Sequence, residues 1–160
     1  MCAETADPRA ALLDAALPHV PFDGWSDATF RAAIAESGVE PGMARALCPR
    51  GALDLALDWH ARGDAKMAER LRGAETEGLR FRDKVAAGVR FRLEAVEDRE
   101  VLRRSSTLFA LPQNAAEGAR AVWATADLIW ETLGDTSEDY NWYTKRATLS
   151  AVISSTLLFW

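Results

Sequence analysis

The spacing of apolar residues predicts helices along the whole chain. Apolar positions recur every three or four residues, and the every-second-residue alternation of a surface strand does not occur. Loops carrying Gly or Pro separate about eight such segments, which predicts an all-α fold. The predicted helices span 9–17, 26–37, 42–47, 52–71, 76–96, 98–111, 115–133 and 139–160, and 19–24 is predicted to be a loop.

Four predicted helical segments, 76–96, 98–111, 115–133 and 142–160, carry apolar stripes that are expected to face one another. The first stripe runs from Phe81 through Val85, Val89 and Leu93 to Val96. It is flanked by the cations Arg80, Arg82, Lys84, Arg90 and Arg92. Another lies in 115–133. After Arg146 the sequence holds no charge, so 147–160 is expected to be a mostly buried helix. Because the stripes are rich in bulky rings, they are compatible with an apolar pocket, although a fully filled core would explain them equally well.

Composition indicates a soluble globular protein, with 49% apolar and 27% charged residues. The net charge of −5 argues against nucleic-acid binding through bulk positive charge. Two cysteines make no disulfide framework. The start of the chain lacks a signal-peptide pattern, and the uncharged run 147–160 is shorter than the roughly 18 residues that a membrane-spanning helix needs.

The motifs of several enzyme classes are absent from the sequence. It contains neither a Gly-rich phosphate loop nor a Gly-x-Ser-x-Gly elbow, and its two histidines lack metal-site spacing. Cys48, beside a proline, is interpreted as structural, and His60 as an ordinary partly buried imidazole. Asp54 and Asp58 are expected to form a solvated acidic face, with Asp58 able to pair with Arg62. We therefore expect no enzyme activity, no metal and no cofactor.

The segment from Ser26 to Leu47 has the pattern of a helix-turn-helix. A small residue at Ala32, a glycine turn at Gly38 and an apolar plug at Val39 define its core, as in the DNA-binding head of TetR-type regulators, which it resembles. The expected recognition helix offers Arg45 as its one obvious hydrogen-bond donor. Charges between 26 and 50 cancel, so the segment lacks the main driving force for DNA binding. We expect no nucleic-acid partner.

The segment Asp135-Thr-Ser-Glu-Asp-Tyr-Asn-Trp-Tyr-Thr-Lys-Arg-Ala147 resembles the signature of a known family. The family comprises accessory proteins of ubiquinone (coenzyme Q) biosynthesis, the ninth member of the Coq series, and Cys48-Pro-Arg-Gly-Ala52 also matches its pattern. The resemblance covers about residues 10–160. It implies a TetR-like helical bundle with a head shaped like a helix-turn-helix and a lipid-binding helical domain, divided as a flexible tail (1–8), head (9–50) and ligand domain (51–160).

The function implied by this resemblance is to bind an isoprenoid quinone intermediate or a phospholipid and present it to the di-iron hydroxylase of the pathway. The alternatives are a ligand-responsive transcriptional regulator of the TetR type and, less compatible with the missing motifs, an enzyme acting on the quinone ring. The apolar stripes supply the candidate lipid-binding residues, which are Val89, Leu93, Leu108, Phe109, Trp123, Ile129, Trp130, Leu149 and Ile153.

The implied partner-binding patch is carried over to Asp139, Trp142 and Tyr143. Since neighbouring helical residues point about 100° apart, at least one of the two rings should be exposed. The resemblance also implies a homodimer and a peripheral membrane contact through a C-terminal amphipathic helix that this sequence lacks. Eukaryotic members are mitochondrial, whereas this composition indicates a bacterial protein in the cytoplasm at the inner membrane.

Overall fold

The structure, a computed structural model, describes residues 7–160 apart from the side chains of Ala74 and Asp139. Over this range it contains nine α-helices, one short 3-10 turn and no strand, which confirms the all-α, TetR-like prediction. The helices are α1 (Pro8–Ala16), α2 (Val20–Asp23), α3 (Asp27–Ser37), α4 (Pro41–Leu47), α5 (Ala52–Arg72), α6 (Phe81–Glu94), α7 (Arg99–Ala110), α8 (Ala115–Thr132) and α9 (Asp139–Phe159).

The helix-turn-helix form of the head follows from local signals. The hydroxyl of Ser26 accepts a hydrogen bond from the backbone N–H of Thr29 and caps α3. At its other end Gly38 adopts φ 73°, a left-handed conformation that glycine reaches without steric cost, and the helix stops. The carboxylate of Glu40 then accepts from the N–H of Met43 at 2.8 Å and starts α4. α1 packs on α3 and α4.

Two predicted element boundaries were wrong. Residues 20–23, predicted to lie in a loop, form the short helix α2. The helix predicted over 76–96 begins only at Phe81, because Gly78 has φ 74° and interrupts the segment. Both errors concern segments in which the apolar periodicity is weak, so local backbone conformation decided the outcome.

The described chain falls into two compact units. The first runs to Trp59 and takes in Asp98–Leu108, and the second comprises His60–Glu97 and Phe109–Trp160. In the first unit the indole N–H of Trp25 donates to the hydroxyl of Ser105 at 2.8 Å, so a residue before α3 is tied to α7. The predicted domain limits of the tail, head and ligand domain stay predictions.

The acidic pair on α5 is not a solvated face, which corrects the expectation. Asp54 is buried and accepts hydrogen bonds from the backbone N–H and the Nε of Arg50, at 2.8 and 2.9 Å. Asp58 pairs with Arg9 at 2.5 Å. Arg9 lies 49 residues away on α1, so helical spacing alone did not reveal it as a partner.

The core of the second unit is built from α5, α6, α8 and α9. On α6 Ala87 and Phe91 lie in the core, and Leu93 of the predicted stripe is also buried, whereas Phe81 is 49% exposed. The predicted stripe was therefore correct only in part, and the face toward the core is rotated by part of a turn. Gly88 explains the rotation, because a Cβ there would lie 3.2 Å from Ile129 and so α6 approaches α8 closely on that side. The buried core residues are Met67, Ala68, Leu71, Ala87, Phe91, Ala126, Ile129, Leu149 and Ile153.

The last helix, α9, is only half buried, so the prediction of a mostly buried helix was wrong. Leu149 and Ile153 face the core, while Val152, Leu158 and Phe159 are exposed. The apolar residues of α9 lie on more than one side, and α9 packs chiefly along α8. One neighbouring helix cannot cover all of these side chains.

Candidate functional site

An apolar groove of about 430 Å³ lies between α6, α8 and α9 in the second unit. Volumes of this order are typical of small-molecule sites. Two cations, Arg82 and Lys145, are the only charged side chains in its lining. The remaining lining residues are Val85, Ala86, Val89, Trp130, Thr144, Thr148, Leu149 and Val152. The groove therefore offers an apolar surface to a ligand, with one positive charge on α6 and one on α9.

The groove brings together three of the nine candidate lipid-binding residues, Val89, Trp130 and Leu149. Ile129 and Ile153 lie beside them but are buried in the packed core. The other four candidates lie outside the groove lining: Leu93 is buried, and Leu108, Phe109 and Trp123 are half-buried. Sequence reasoning missed Val85 and Val152 as lining residues, although each lies three or four residues from a correctly chosen one.

Trp130 forms an aromatic wall of the groove. Its ring stacks on Phe81 with 5.9 Å between ring centroids. The ammonium of Lys145 lies 5.2 Å from the Trp130 ring centroid, a cation–π distance. The indole is thus held between an aromatic ring and a cation, and this arrangement fixes its orientation toward the groove.

Arg146, at the end of the signature segment, points inward. Arg146 is 2% exposed, and its Nε donates to Asp127 on α8. Its Nη1 donates to the backbone carbonyl of Trp142 at 3.3 Å and lies 3.4 Å from the carboxylate of Asp135. The guanidinium also lies 4.0 Å from the Trp142 ring centroid. Burial of this cation is tolerated because two carboxylates and a carbonyl surround it.

Asp135 organises the turn before α9. It accepts hydrogen bonds from the Lys145 ammonium at 2.9 Å and from the Ser137 hydroxyl at 2.7 Å. These two bonds, the lysine bond first, lower the pKa of the Asp135 carboxyl to about 2. The carboxylate therefore stays ionised at neutral pH. Its bond to Lys145 holds the turn that precedes α9 against the first two turns of that helix.

The two candidate partner-binding rings have different environments. Tyr143 is 62% exposed, whereas Trp142 is half-buried between Tyr143, at 4.8 Å between ring centroids, and Trp123, at 6.0 Å. The expectation that at least one ring would be exposed is confirmed. Tyr140, which sequence reasoning did not select, is 83% exposed one turn earlier. The third candidate, Asp139, has a side chain outside the described residues.

A second buried polar network joins α5, α6 and α8. Arg92 is 2% exposed and donates from Nε to Asp64 at 2.6 Å and from Nη2 to His60 Nδ1 at 3.1 Å. Because arginine can only donate, Nδ1 of His60 accepts, and its Nε2–H donates to the Thr125 hydroxyl at 2.8 Å. That hydroxyl donates in turn to Asp64. The sequence placed Arg92 beside the apolar stripe but did not reveal its burial, because its partner Asp64 lies 28 residues away.

This network keeps His60 neutral. Burial is the main cause that lowers the pKa of the imidazole. The Asp64 carboxylate opposes it with the second-largest effect, and the nearby Arg92 cation lowers the pKa further. All four partners are engaged with one another, so the cluster has the character of a structural tie between three helices. It presents no free nucleophile or base.

In residues 7–160, no group of three His, Cys, Asp or Glu side chains is positioned to hold a metal ion. Cys48 is 1% exposed, and burial is the main cause that raises the pKa of its thiol, which disfavours a reactive thiolate. None of the described helices is long and apolar enough to cross a membrane.

Comparisons with known proteins find similarity over most of the chain, including two of the three helices that form the groove. A family model described as COQ9 matches residues 115–160, which are α8 and α9. The mitochondrial ubiquinone biosynthesis protein COQ9 of Drosophila melanogaster is 32% identical over 156 residues, covering 94% of this chain and 48% of that protein. A probable ubiquinone biosynthesis protein coq9 of Dictyostelium discoideum is 29% identical, covering 94% and 52%.

The human mitochondrial ubiquinone biosynthesis protein COQ9 is 27% identical over 158 residues, covering 92% of this chain and 48% of the human protein. The chain thus spans about half the length of the curated relatives that it matches. Within that half, the similarity runs through both compact units and is not confined to the signature segment.

Proposed function

The chain belongs to the COQ9 family of ubiquinone biosynthesis proteins, and from this premise we propose that it is a lipid-binding accessory protein without catalytic activity of its own. Its ligand is an isoprenoid quinone intermediate or a phospholipid. It presents the quinone intermediate to the di-iron hydroxylase of the pathway.

The observation that carries this proposal is the apolar groove between α6, α8 and α9. Its lining from Val85 to Val89 on one side and from Leu149 to Val152 on the other provides a strip of branched aliphatic side chains. An isoprenoid chain gains free energy by leaving water for such a surface, by roughly 25 cal/mol for each Å² of apolar area buried. Arg82, which is exposed, can receive a polar or anionic head, while Lys145 lines the same groove and is bonded to Asp135.

Docking of the hydroxylase is assigned to the exposed rings at the start of α9. Tyr143 and Tyr140 supply large, rigid and exposed aromatic surface, the composition that recurs in protein–protein hot spots. The groove lies next to them, since Thr144 and Lys145 line it. A ligand in the groove would therefore lie close to the partner protein docked at Tyr143, because the groove-lining Thr144 is the next residue along α9.

A matched pair of variants tests the lipid proposal. Val152→Glu places a carboxylate in the groove at a side chain that is already 45% exposed, whereas Ala151→Glu places the same charge on the adjacent exposed position outside the groove lining. Lipid is extracted from each purified protein and quantified by mass spectrometry, and melting is measured after addition of a polyprenyl quinone to delipidated protein.

We expect wild type and Ala151→Glu to carry lipid and to melt at higher temperature with the quinone, because a ligand of the folded state must stabilise it. Val152→Glu should lose most of both effects. Equal lipid content in the two variants would contradict the assignment of the groove, and a wild type without lipid or thermal gain would contradict the function.

The comparisons give no support to the alternative of a transcriptional regulator. Homodimer formation and association with the surface of a bacterial inner membrane are further parts of the proposal. They rest on the family resemblance, and sedimentation of the protein with and without liposomes would test both.

A further inference from the structure

The cations of the signature segment serve its interior and not its surface. Lys145 is directed to Asp135, and Arg146 is almost completely buried beneath Trp142. In the first turns of α9 the exposed described residues are Tyr140, Asn141, Tyr143 and Thr144, which carry no charge. The binding surface is thus aromatic and polar, and its neighbouring charges must have another role.

Arg146 is held in one orientation by contacts from two helices. Its Nε donates to Asp127 on α8, and its Nη1 donates to the carbonyl of Trp142 on α9. These bonds use different edges of the planar guanidinium and leave its face free to lie against the Trp142 ring at 4.0 Å. A lysine ammonium has N–H donors, but it lacks the plane that stacks on a ring and the donors on separate edges of that plane.

Trp142 is thereby enclosed on several sides. The guanidinium of Arg146 covers its ring, and the indole of Trp123 on α8 lies at 6.0 Å with an interplanar angle of 54°. Tyr143 meets Trp142 edge-on, with an interplanar angle of 81° and 4.8 Å between centroids. A half-buried ring thus supports an exposed one.

We propose that Asp127 and Arg146 are positioning residues. They fix the orientation of the Trp142 ring, which supports Tyr143 and so holds the Tyr143 ring in the orientation that contacts the partner protein. The inference rests on the proposed docking of the hydroxylase at Tyr143. Its physical basis is pre-organisation, since a ring that is already immobile loses less conformational entropy when it is buried at an interface. The partner surface that fits is apolar, with hydrogen-bonding groups at its edge for the tyrosine hydroxyl.

Arg146→Lys is the direct test, because it keeps the charge and removes the stack. Asp127→Asn is the second variant, since it weakens the anchor from the α8 side. Arg120→Lys is the matched control, an exposed arginine that pairs with Glu117 on the same helix as Asp127. Tyr143→Ala and Trp142→Ala define the effect of losing each ring.

Three quantities are measured on full-length protein. They are the affinity for the purified di-iron hydroxylase by calorimetry, the melting temperature, and the exciton band of the Trp123–Trp142 pair in the ultraviolet circular dichroism spectrum. We expect Arg146→Lys and Asp127→Asn to bind about tenfold more weakly with a reduced exciton band, a change that a stability effect alone would not produce in folded protein. Arg120→Lys should match wild type in all three.

Tyr143→Ala separates the two proposals. If it binds the hydroxylase as wild type does, the docking site itself is wrong. If it weakens binding while Arg146→Lys and Asp127→Asn fold and bind normally, docking stands and the positioning role is overturned. Should neither positioning variant fold, Trp142→Ala decides: a loss matching that of Tyr143→Ala supports the proposal, and wild-type affinity overturns it.

Discussion

Gly63 on α5 lies directly against the guanidinium of Arg92 on α6. A Cβ built on Gly63 would lie 2.8 Å from both Cζ and Nη1 of Arg92, closer than real Cβ contacts. Because Gly63 has no side chain, it leaves room for the guanidinium of the buried Arg92. Because Arg92 is clamped by Asp64 and His60, it cannot swing away at little cost.

Gly63→Ala should destabilise the protein even though alanine is the better helix former. The gain in helix propensity is at most about 1 kcal/mol. Displacing Arg92 from Asp64 breaks a buried ion pair, at a cost of about 3–5 kcal/mol. We expect a net loss of roughly 2 kcal/mol or more in the free energy of unfolding, measured by urea denaturation.

A double-mutant cycle with Arg92→Met provides the control for this prediction. Without the guanidinium the clash disappears, so Gly63→Ala should cost much less in that background. An equal cost in both backgrounds would show that Arg92 is not the obstacle.

His60 should make stability fall as the solution is acidified. In the unfolded chain its imidazole takes up a proton near pH 6.5, whereas in the folded state burial and Arg92 lower its pKa and keep it neutral. The unfolded state therefore binds more protons below pH 6.5, and the free energy of unfolding falls as the pH drops from 7 toward 5. His60→Gln should flatten this part of the curve, as followed by urea denaturation at successive pH values.

His19→Gln is the comparison for this experiment, since it removes the other histidine, which pairs with Glu36 in the head. Its curve between pH 5 and 7 should keep the wild-type fall. A His60→Gln curve as steep as that of wild type would refute the role assigned to the buried network.

Asp135 should contribute stability above about pH 4 that is lost at lower pH. Its folded-state pKa of about 2 lies below the ordinary value of 3.8, so its stabilising effect disappears as the pH falls from about 4 through about 2. Asp135→Asn should cost roughly 1–3 kcal/mol at pH 7, because it leaves Lys145 without its buried carboxylate, and should unfold with less dependence on pH below 4. Glu131→Gln, at an exposed side chain of α8, is the control, and the acid transition is followed by circular dichroism.

The head should not bind duplex DNA with useful affinity. Its charges cancel between residues 26 and 50, and Arg50 is occupied by Asp54. At about 50 mM salt, where phosphate contacts are strongest, we expect a dissociation constant weaker than about 1 μM by fluorescence anisotropy. Sequence-selective, salt-sensitive binding below that value would revive the regulator alternative.

The sequence by itself determined the helical fold, the form of the head and the family. The Ser26 cap and the Gly38 stop are local effects, and both were readable because they depend on residues within one turn of the helix. The signature segment identified the family because its rare aromatic and charged residues lie in one short stretch. One ring of Trp142 and Tyr143 was also predictably exposed, since adjacent helical positions point in different directions.

Only the tertiary structure decided which charged residues are buried and which apolar residues are exposed. Periodicity orients a helix about its own axis, but it does not reveal which neighbour packs on each side. The burial of Arg92 and Arg146 was therefore not predictable from spacing along one helix, because their carboxylate partners lie 28 and 19 residues away. Phe159 is exposed because α8 covers only one side of α9. A charge can be buried only where distant residues neutralise it, and an apolar side chain only where another element covers it, so both outcomes depend on contacts between helices.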